Sequence, residues 1–137
     1  MQTVITYVTL LLTGIIMQAQ NTIEVSMLGF ENNNGTAMIA MYDSEEDFLE
    51  KRYKGELSPI SNNKSVATFT DIPDGIYAIS VVHDEDNNGK LNMMMGFYPA
   101  EATGSSNDAP ARFGPPKWED AKFEVSNGEV LKMNINL

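Results

Sequence analysis

The 137-residue sequence contains no cysteine and few basic side chains. The absence of cysteine excludes disulfide bonds, thiol catalysis and thiolate metal sites. Nine lysine and arginine residues stand against nineteen aspartate and glutamate residues, which gives a net charge of −10 at pH 7. Such an acidic chain repels nucleic acid and anionic membranes, and suits a soluble protein or one that meets cations. We therefore expect no nucleic-acid partner.

Familiar catalytic motifs are absent as well. The chain has no nucleophile elbow, phosphate-binding loop, HExxH zinc motif or dinucleotide fingerprint. Its one histidine is His83, so Ser105 and Ser106 lack a second histidine with which to form a triad. A lone histidine also makes a poor zinc site, because zinc prefers several nitrogen or sulfur ligands. The sequence thus favours a non-enzymatic function.

The N-terminal segment is uncharged. No charged side chain occurs in residues 1–20, and residues 4–17 are mostly apolar. This run is short for a membrane span and is typical of a secretory signal peptide, with Ala19 or Gln20 as the last residue removed. The sequence predicts a signal peptide over residues 1–20 and one mature domain over residues 21–137, with an uncleaved anchor as the alternative. We expect an exported protein that is periplasmic, associated with the outer membrane or secreted, without stable membrane insertion after cleavage.

Alternation of apolar and polar residues predicts β-strands along the mature chain. The predicted strands cover residues 22–30, 36–42, 65–70, 76–82, 121–125 and 131–137. The second strand is apolar on both faces, which is typical of a central strand. The last two strands flank Asn127-Gly128, a pair that favours a type I′ turn, so we expect them to form a hairpin.

One short helix is expected between residues 44 and 55. Ser44 suits the N-cap, acidic residues follow it, and Lys51 and Arg52 suit the negative end of a helix that Gly55 can stop. Six strands, one short helix and no βαβ rhythm predict an all-β, antiparallel sandwich.

Residues 84–120 form a long connection between two predicted strands. A loop of this length in a compact domain is functional or disordered. Aromatic side chains argue for order, because they can pack the loop onto the sandwich. They are Phe97, Tyr98, Phe113 and Trp118.

The most informative motif opens this connection. Asp84, Asp86 and Asn88 alternate, and Gly89 follows directly. This is the first half of the D-x-[DN]-x-[DN]-G calcium loop, in which alternate oxygen ligands converge and the glycine permits a sharp bend. The sequence therefore predicts a calcium-binding loop of structural role.

The second half of the motif departs from the calcium pattern. Lys90 would offer its backbone carbonyl and Asn92 an oxygen, but Met95 stands where a bidentate glutamate is usual. Glu101 and Glu119 are candidates for the missing carboxylate. With two anionic ligands in the loop we expect weak binding, with a Kd of roughly 10⁻⁴–10⁻³ M. The alternative is a polar turn that binds no cation.

His83 admits two roles beside this loop. As a general base with Asp84 and Asp86, it would make the protein a metal-dependent hydrolase. As a hydrogen-bonded side chain, it would tether the loop. A Cu(I) site with residues 93–95, three methionines, is disfavoured because three consecutive residues of a strand cannot face one ion.

A rigid turn precedes the end of the connection. Phe113-Gly114-Pro115-Pro116 is followed closely by Trp118, and the proline pair fixes the backbone. Trp118 is a candidate contact for a small-molecule, glycan or protein partner. The alternative is a buttress that packs the loop down.

Residues 75–92 resemble the signature of the bacterial DUF2141 family, and the resemblance continues through residues 95–101, 104–107, 113–116 and 118–123. It implies an exported β-sandwich of transthyretin-like fold and no known activity. Asn92 departs from the family pattern, where Asp is common, and removes a ligand charge. We therefore expect a binding or accessory module with a calcium loop; a metal-dependent hydrolase and a purely structural envelope protein are the alternatives.

Overall fold

The computed structural model describes residues 20–87, 89, 93–94, 98–99, 101–111 and 113–137. The strands in these residues are β1 (Asn21–Leu28), β2 (Thr36–Tyr42), β3 (Lys54–Pro59), β4 (Lys64–Ile72), β5 (Gly75–Asp84), β6 (Met93–Met94), β7 (Tyr98–Pro99), β8 (Thr103–Ser105), β9 (Phe123–Val125) and β10 (Val130–Asn136). They are accompanied by a 3₁₀ turn (Ser106–Asp108) and a single-turn helix, α1 (Trp118–Ala121).

Two sheets enclose the core. One has the strand order β10-β1-β4; the other has the order β3-β2-β5-β8, with β9 beside β5. Alternate residues of β1 are buried along its whole length, as its period-two pattern predicts. The buried apolar residues that fill the interior come from both sheets and include Ile23, Val25, Phe69, Ile79, Val81 and Ile135. The predicted all-β sandwich is confirmed.

The expected C-terminal hairpin is wrong. β9 pairs with β5, whereas β10 pairs with β1 in the other sheet. The β1–β10 pairing is parallel, so the sandwich is not purely antiparallel. The turn itself has the expected backbone, since φ is 62° at Asn127 and 67° at Gly128. The Asn-Gly pair determines the local turn conformation. Tertiary packing determines that the strands on either side of the turn belong to different sheets.

The helix expected between residues 44 and 55 is also wrong. The Ser44 hydroxyl accepts a hydrogen bond from the Asp47 amide at 3.2 Å, as an N-cap would. Residues 45–50 nevertheless form turns, and Leu49 has a φ of 63° that a right-handed helix does not accommodate. β3 then begins at Lys54, which places Gly55 inside a strand that the sequence did not predict. The α-helix among the described residues is α1.

The long connection after β5 contains short ordered elements. Its second half is attached to the sandwich by the polar turn, which we define as residues Ser106, Asn107 and Asp108. The Ser106 hydroxyl donates to the Ala121 carbonyl at 2.6 Å and accepts from the Ile79 amide at 3.0 Å. The side chain of Asn107 donates to the Lys122 carbonyl at 2.8 Å. The Asp108 carboxylate accepts two hydrogen bonds from Asn136.

Candidate metal centre

Asp84 is the last residue of β5, a central strand that lies between β2 and β8. Successive side chains of a strand point to opposite faces. His83 therefore continues the core-facing row of Val81 and Ile79, and Asp84 continues the outer-face row of Val82. Both His83 and Asp84 are buried, with 0% and 2% of their surface exposed.

Gly35 holds the backbone against Asp84. It has a φ of 68° and precedes Thr36, which pairs with Asp84 across the β2–β5 ladder. A Cβ atom at Gly35 would lie 1.8 Å from the Asp84 carbonyl oxygen. Only glycine combines this positive φ with so close a backbone approach. The sequence analysis did not identify this role of Gly35, because the contact depends on the pairing of β2 with β5.

Glu101 comes to Asp84 through the pairing of β8 with β5. The register pairs Val82 with Thr103, and the His83 amide donates to the Ala102 carbonyl at 2.9 Å. Continuing this antiparallel register by two residues places Glu101 opposite Asp84, on the same face of the sheet. The Glu101 carboxylate also accepts a hydrogen bond from the Glu85 amide at 3.0 Å. Of the two carboxylates proposed from sequence, Glu101 is thus the one that reaches the loop.

We call Asp84, Asp86 and Glu101 the acidic triad. One carboxylate oxygen from each residue can be chosen such that all three atoms lie within 4.8 Å of one another. Asp84 and Glu101 are buried, and Asp86 is exposed. The triad therefore has one ligand at the end of β5, one two residues before β8 and one on the turn that follows β5. Such a set of oxygens has the composition that hard cations prefer.

The turn after β5 has a positive φ at two of its described residues. Asn87 and Gly89 have φ values of 55° and 74°. The Gly89 amide donates to the Asp84 carboxylate at 2.8 Å, and the Thr36 hydroxyl donates to the Asn87 side chain at 3.2 Å. Three of the predicted ligands lie outside the described residues, and these are Asn88, Lys90 and Asn92.

His83 is engaged away from the acidic triad. Its Nε2 donates to the Asn34 carbonyl at 2.7 Å, and its ring packs edge-on against Phe30 with centroids 5.1 Å apart. Its Nδ1 has no hydrogen-bond partner among the described residues and lies 3.8 Å from a Glu85 carboxylate oxygen. These contacts favour the tethering role over that of a general base, because the imidazole faces the core and Asp84 faces outward.

Glu119 and Trp118 lie elsewhere in the fold. Glu119 forms an ion pair with Lys122 at 2.8 Å on and beside α1. The Trp118 ring packs against Phe48 with centroids 5.7 Å apart, and Phe48 packs against Tyr42 at 5.4 Å. Trp118 is half-buried in this aromatic row, an arrangement that favours the buttress over a free ligand platform. Of the three methionines considered for copper, Met95 lies outside the described residues.

Comparison with protein families agrees with the sequence pattern. A family described as an uncharacterised protein conserved in bacteria (DUF2141) matches residues 25–132, which is most of the chain. The chain belongs to the DUF2141 family. The match spans the acidic triad, α1 and both sheets of this DUF2141 domain. No curated protein and no solved structure matches the chain. In the described part of the chain, none of the helices has the length and apolarity needed to cross a membrane.

Proposed function

We propose that this DUF2141 protein is an exported binding or accessory module in which a divalent cation, calcium, holds the loop between β5 and β8. The observation that carries the proposal is the convergence of Asp84, Asp86 and Glu101 to within 4.8 Å at the start of a calcium-type turn. The sequence motif and the strand pairing support the same site independently. The motif supplies alternate ligands on a turn. The pairing of β5 with β8 brings up the carboxylate of Glu101, which is distant in sequence.

A cation has a physical role at this position. Carboxylates that lie directly opposite each other on neighbouring strands destabilise the pairing by a few tenths of a kcal/mol to about 1 kcal/mol. Asp84 and Glu101 would be opposite each other where the β5–β8 register is continued by two residues, and both are buried. A divalent ion between them would turn this repulsion into two attractive contacts. It would also fix the turn after β5 to the segment that leads into β8.

The ligand chemistry favours calcium among the common metals. The acidic triad offers carboxylate oxygens, and the sequence has no thiolate. The single imidazole is bonded to Asn34 on the other face of the strand. Zinc and copper prefer nitrogen and sulfur, while magnesium demands a compact octahedral shell. A third carboxylate should also bind calcium more tightly than the two expected from the loop alone, since affinity rises with ligand charge.

Thermal unfolding tests this proposal. The purified protein is unfolded in EDTA and across a calcium titration, beside the variant Asp84→Asn/Asp86→Asn. Calcium at about 100 times its Kd should stabilise the wild type by roughly 2.7 kcal/mol, which is an easily measured rise in Tm. The double variant should show no rise. Magnesium at the same concentration should give a smaller rise than calcium.

The alternatives give different results in the same experiment. A polar turn without a cation predicts no shift of Tm with any metal, and tolerance of the double substitution. A metal-dependent hydrolase would depend on His83, so a His83→Gln variant that folds would lose turnover while keeping the calcium shift.

Export is the second part of the proposal. It is supported by the uncharged, largely apolar run in residues 1–20. Expression of the whole coding sequence in a bacterial host, followed by intact mass measurement of the exported fraction, should show the loss of about 20 N-terminal residues. Retention of the full-length mass in the cytoplasmic fraction would contradict export.

A further inference from the structure

The outer face of the β3-β2-β5 sheet carries two neighbouring cross-strand rows of different size. Residues paired across a ladder point to the same face, so each row can be taken from the register. The first row is large and apolar, and consists of Leu57, Met38 and Val82. The second row is small, and consists of Gly55, Ala40 and Ser80.

The difference in size between these rows makes a trough across the sheet. Its floor is the small row and one wall is the apolar row; residues 50–52 rise beside it. The trough has a volume of about 490 Å³, which lies within the roughly 300–1,000 Å³ of small-molecule sites. Leu57 is 68% exposed, so the apolar wall is open to a ligand.

Arg52 places a positive charge over this floor. A Cβ atom on Gly55 would lie 3.1 Å from both Cδ and Nε of Arg52, so the arginine side chain rests on the glycine. Over the part of the chain that the structure describes, no carboxylate lies within ion-pair distance of Arg52. Glu56 is exposed and also lines the trough, but it alternates along β3 with Gly55 and Leu57 and pairs with Ile39.

Two basic residues stand together beside the trough, although the chain as a whole is acidic. Lys51 and Arg52 stand side by side at the rim, with Glu50 as the neighbouring acid, in a protein of net charge −10. A guanidinium without a carboxylate partner presents a planar fork that fits a carboxylate. The apolar wall beside it fits a short hydrocarbon chain.

From this charge and shape complementarity we propose that the trough binds a free, small amphipathic carboxylate. The carboxylate pairs with Arg52 over Gly55, and the apolar tail lies along Leu57, Met38 and Val82. This site is separate from the acidic triad and does not depend on a cation there.

Octanoate and octanol form a matched pair of probes, because they share a chain length and differ in charge. Each is titrated into the purified protein in EDTA and followed by amide chemical shifts. Octanoate should bind saturably, with shifts on β2, β3 and β5, and about tenfold more tightly than octanol. Arg52→Gln should remove this tenfold preference, and Arg52→Lys should restore part of it. Lys117→Gln, an exposed cation elsewhere, should change nothing.

A second variant blocks the trough without removing the charge. Gly55→Val adds a β-branched side chain on an exposed strand position, which a strand accepts, and should abolish binding while leaving the Tm within a few degrees. Absence of saturable octanoate binding, or equal binding by the wild type and Arg52→Gln, would overturn the proposal. Arg52-dependent cosedimentation with phosphatidylglycerol vesicles would also overturn it, because the surface would then recognise a membrane. Failure here leaves the calcium shift of Tm unaffected, so the two proposals are tested separately.

Discussion

The two ends of the connection between β5 and β9 are attached to the sandwich by different interactions. At the far end, the Ser106, Asn107 and Asp108 side chains bond to backbone groups of β5, α1 and β10. At the near end, three carboxylates meet within 4.8 Å of one another. The far end needs no further component, because each of these bonds joins a donor to an acceptor. The near end also has hydrogen bonds, from the Gly89 amide to Asp84 and from the Glu85 amide to Glu101, but it brings three carboxylates together, and the proposed cation would join them.

If the proposed cation binds, the domain combines an attachment that is always present with one that depends on the ion. Buried hydrogen bonds are costly to lose whatever the solution contains, because each leaves an unsatisfied group. A cation site contributes stability only in proportion to the ion available. Mutations at the two ends should therefore differ in their response to calcium.

The largest expected effect lies beneath the near end, at Gly35. Gly35→Ala should destabilise the protein by about 3 kcal/mol or more, since it adds left-handed strain and a Cβ atom 1.8 Å from the Asp84 carbonyl oxygen. Chemical denaturation in EDTA measures the change. Gly89→Ala is the matched control: Gly89 also has positive φ, 74°, but no atom of the described residues lies within 4 Å of its Cβ position. It should cost about 1–2 kcal/mol. Equal losses of stability in the two variants would show that the steric contact with Asp84 adds nothing to the cost of Gly35→Ala.

The second-largest expected loss of stability is at Ser106, in the polar turn at the far end. Ser106→Ala should destabilise by about 1–3 kcal/mol, because it leaves the buried Ile79 amide and Ala121 carbonyl without the hydroxyl they bond. The loss should be the same in EDTA and in saturating calcium when measured by denaturation. A loss of stability that appears only with calcium would mean that the polar turn is coupled to the acidic triad. The polar turn would then not be independent of the cation.

The smallest effect concerns the pH dependence of stability and the phenol of Tyr77. Burial, and then Tyr53, Asp43 and Asp74, raise the pKa of the Tyr77 phenol above its usual value of 10.0. The folded state thus holds this proton more tightly than the unfolded state, and the resulting stability is present below pH 10 and lost as pH rises above it. The neutral hydroxyl also donates to the Pro73 carbonyl at 2.7 Å.

Tyr77→Phe should therefore lower stability at neutral pH and flatten its decline above about pH 10. Denaturation midpoints at pH 8 and near pH 11 measure this difference. A variant whose decline parallels that of the wild type would show that other groups control the alkaline range.

Periodicity predicted the parts of the fold that local chemistry controls. The strands that carry the core appear where apolar residues alternate, and β2 is central as its two apolar faces indicate. The edge strand β3 was missed because its sequence, KGELSP, has little alternation and little β-branching. The parallel partnership of β1 with β10 could not be predicted from the Asn127-Gly128 turn, since a turn specifies a bend and not the strands that pair.

The candidate site was predictable to a similar extent. The spacing of Asp84 and Asp86 located the turn, and the need for another carboxylate pointed to Glu101 or Glu119. The choice between them required the β5–β8 register, which no local pattern contains. The hydrolase alternative requires His83 and Asp84 to share a centre, yet strand alternation sends neighbouring side chains to opposite faces. Asn88, Lys90 and Asn92 stay predictions.

The proposed calcium site is tested most directly by calorimetric titration of calcium into Glu101→Gln and Glu119→Gln. Both variants remove one negative charge from the same long connection, but only Glu101 belongs to the acidic triad. A calcium site at the acidic triad should bind one calcium ion per wild-type chain, bind it at least about tenfold more weakly in Glu101→Gln, and bind it equally well in Glu119→Gln. No binding by the wild type, or equal weakening in both variants, would contradict it.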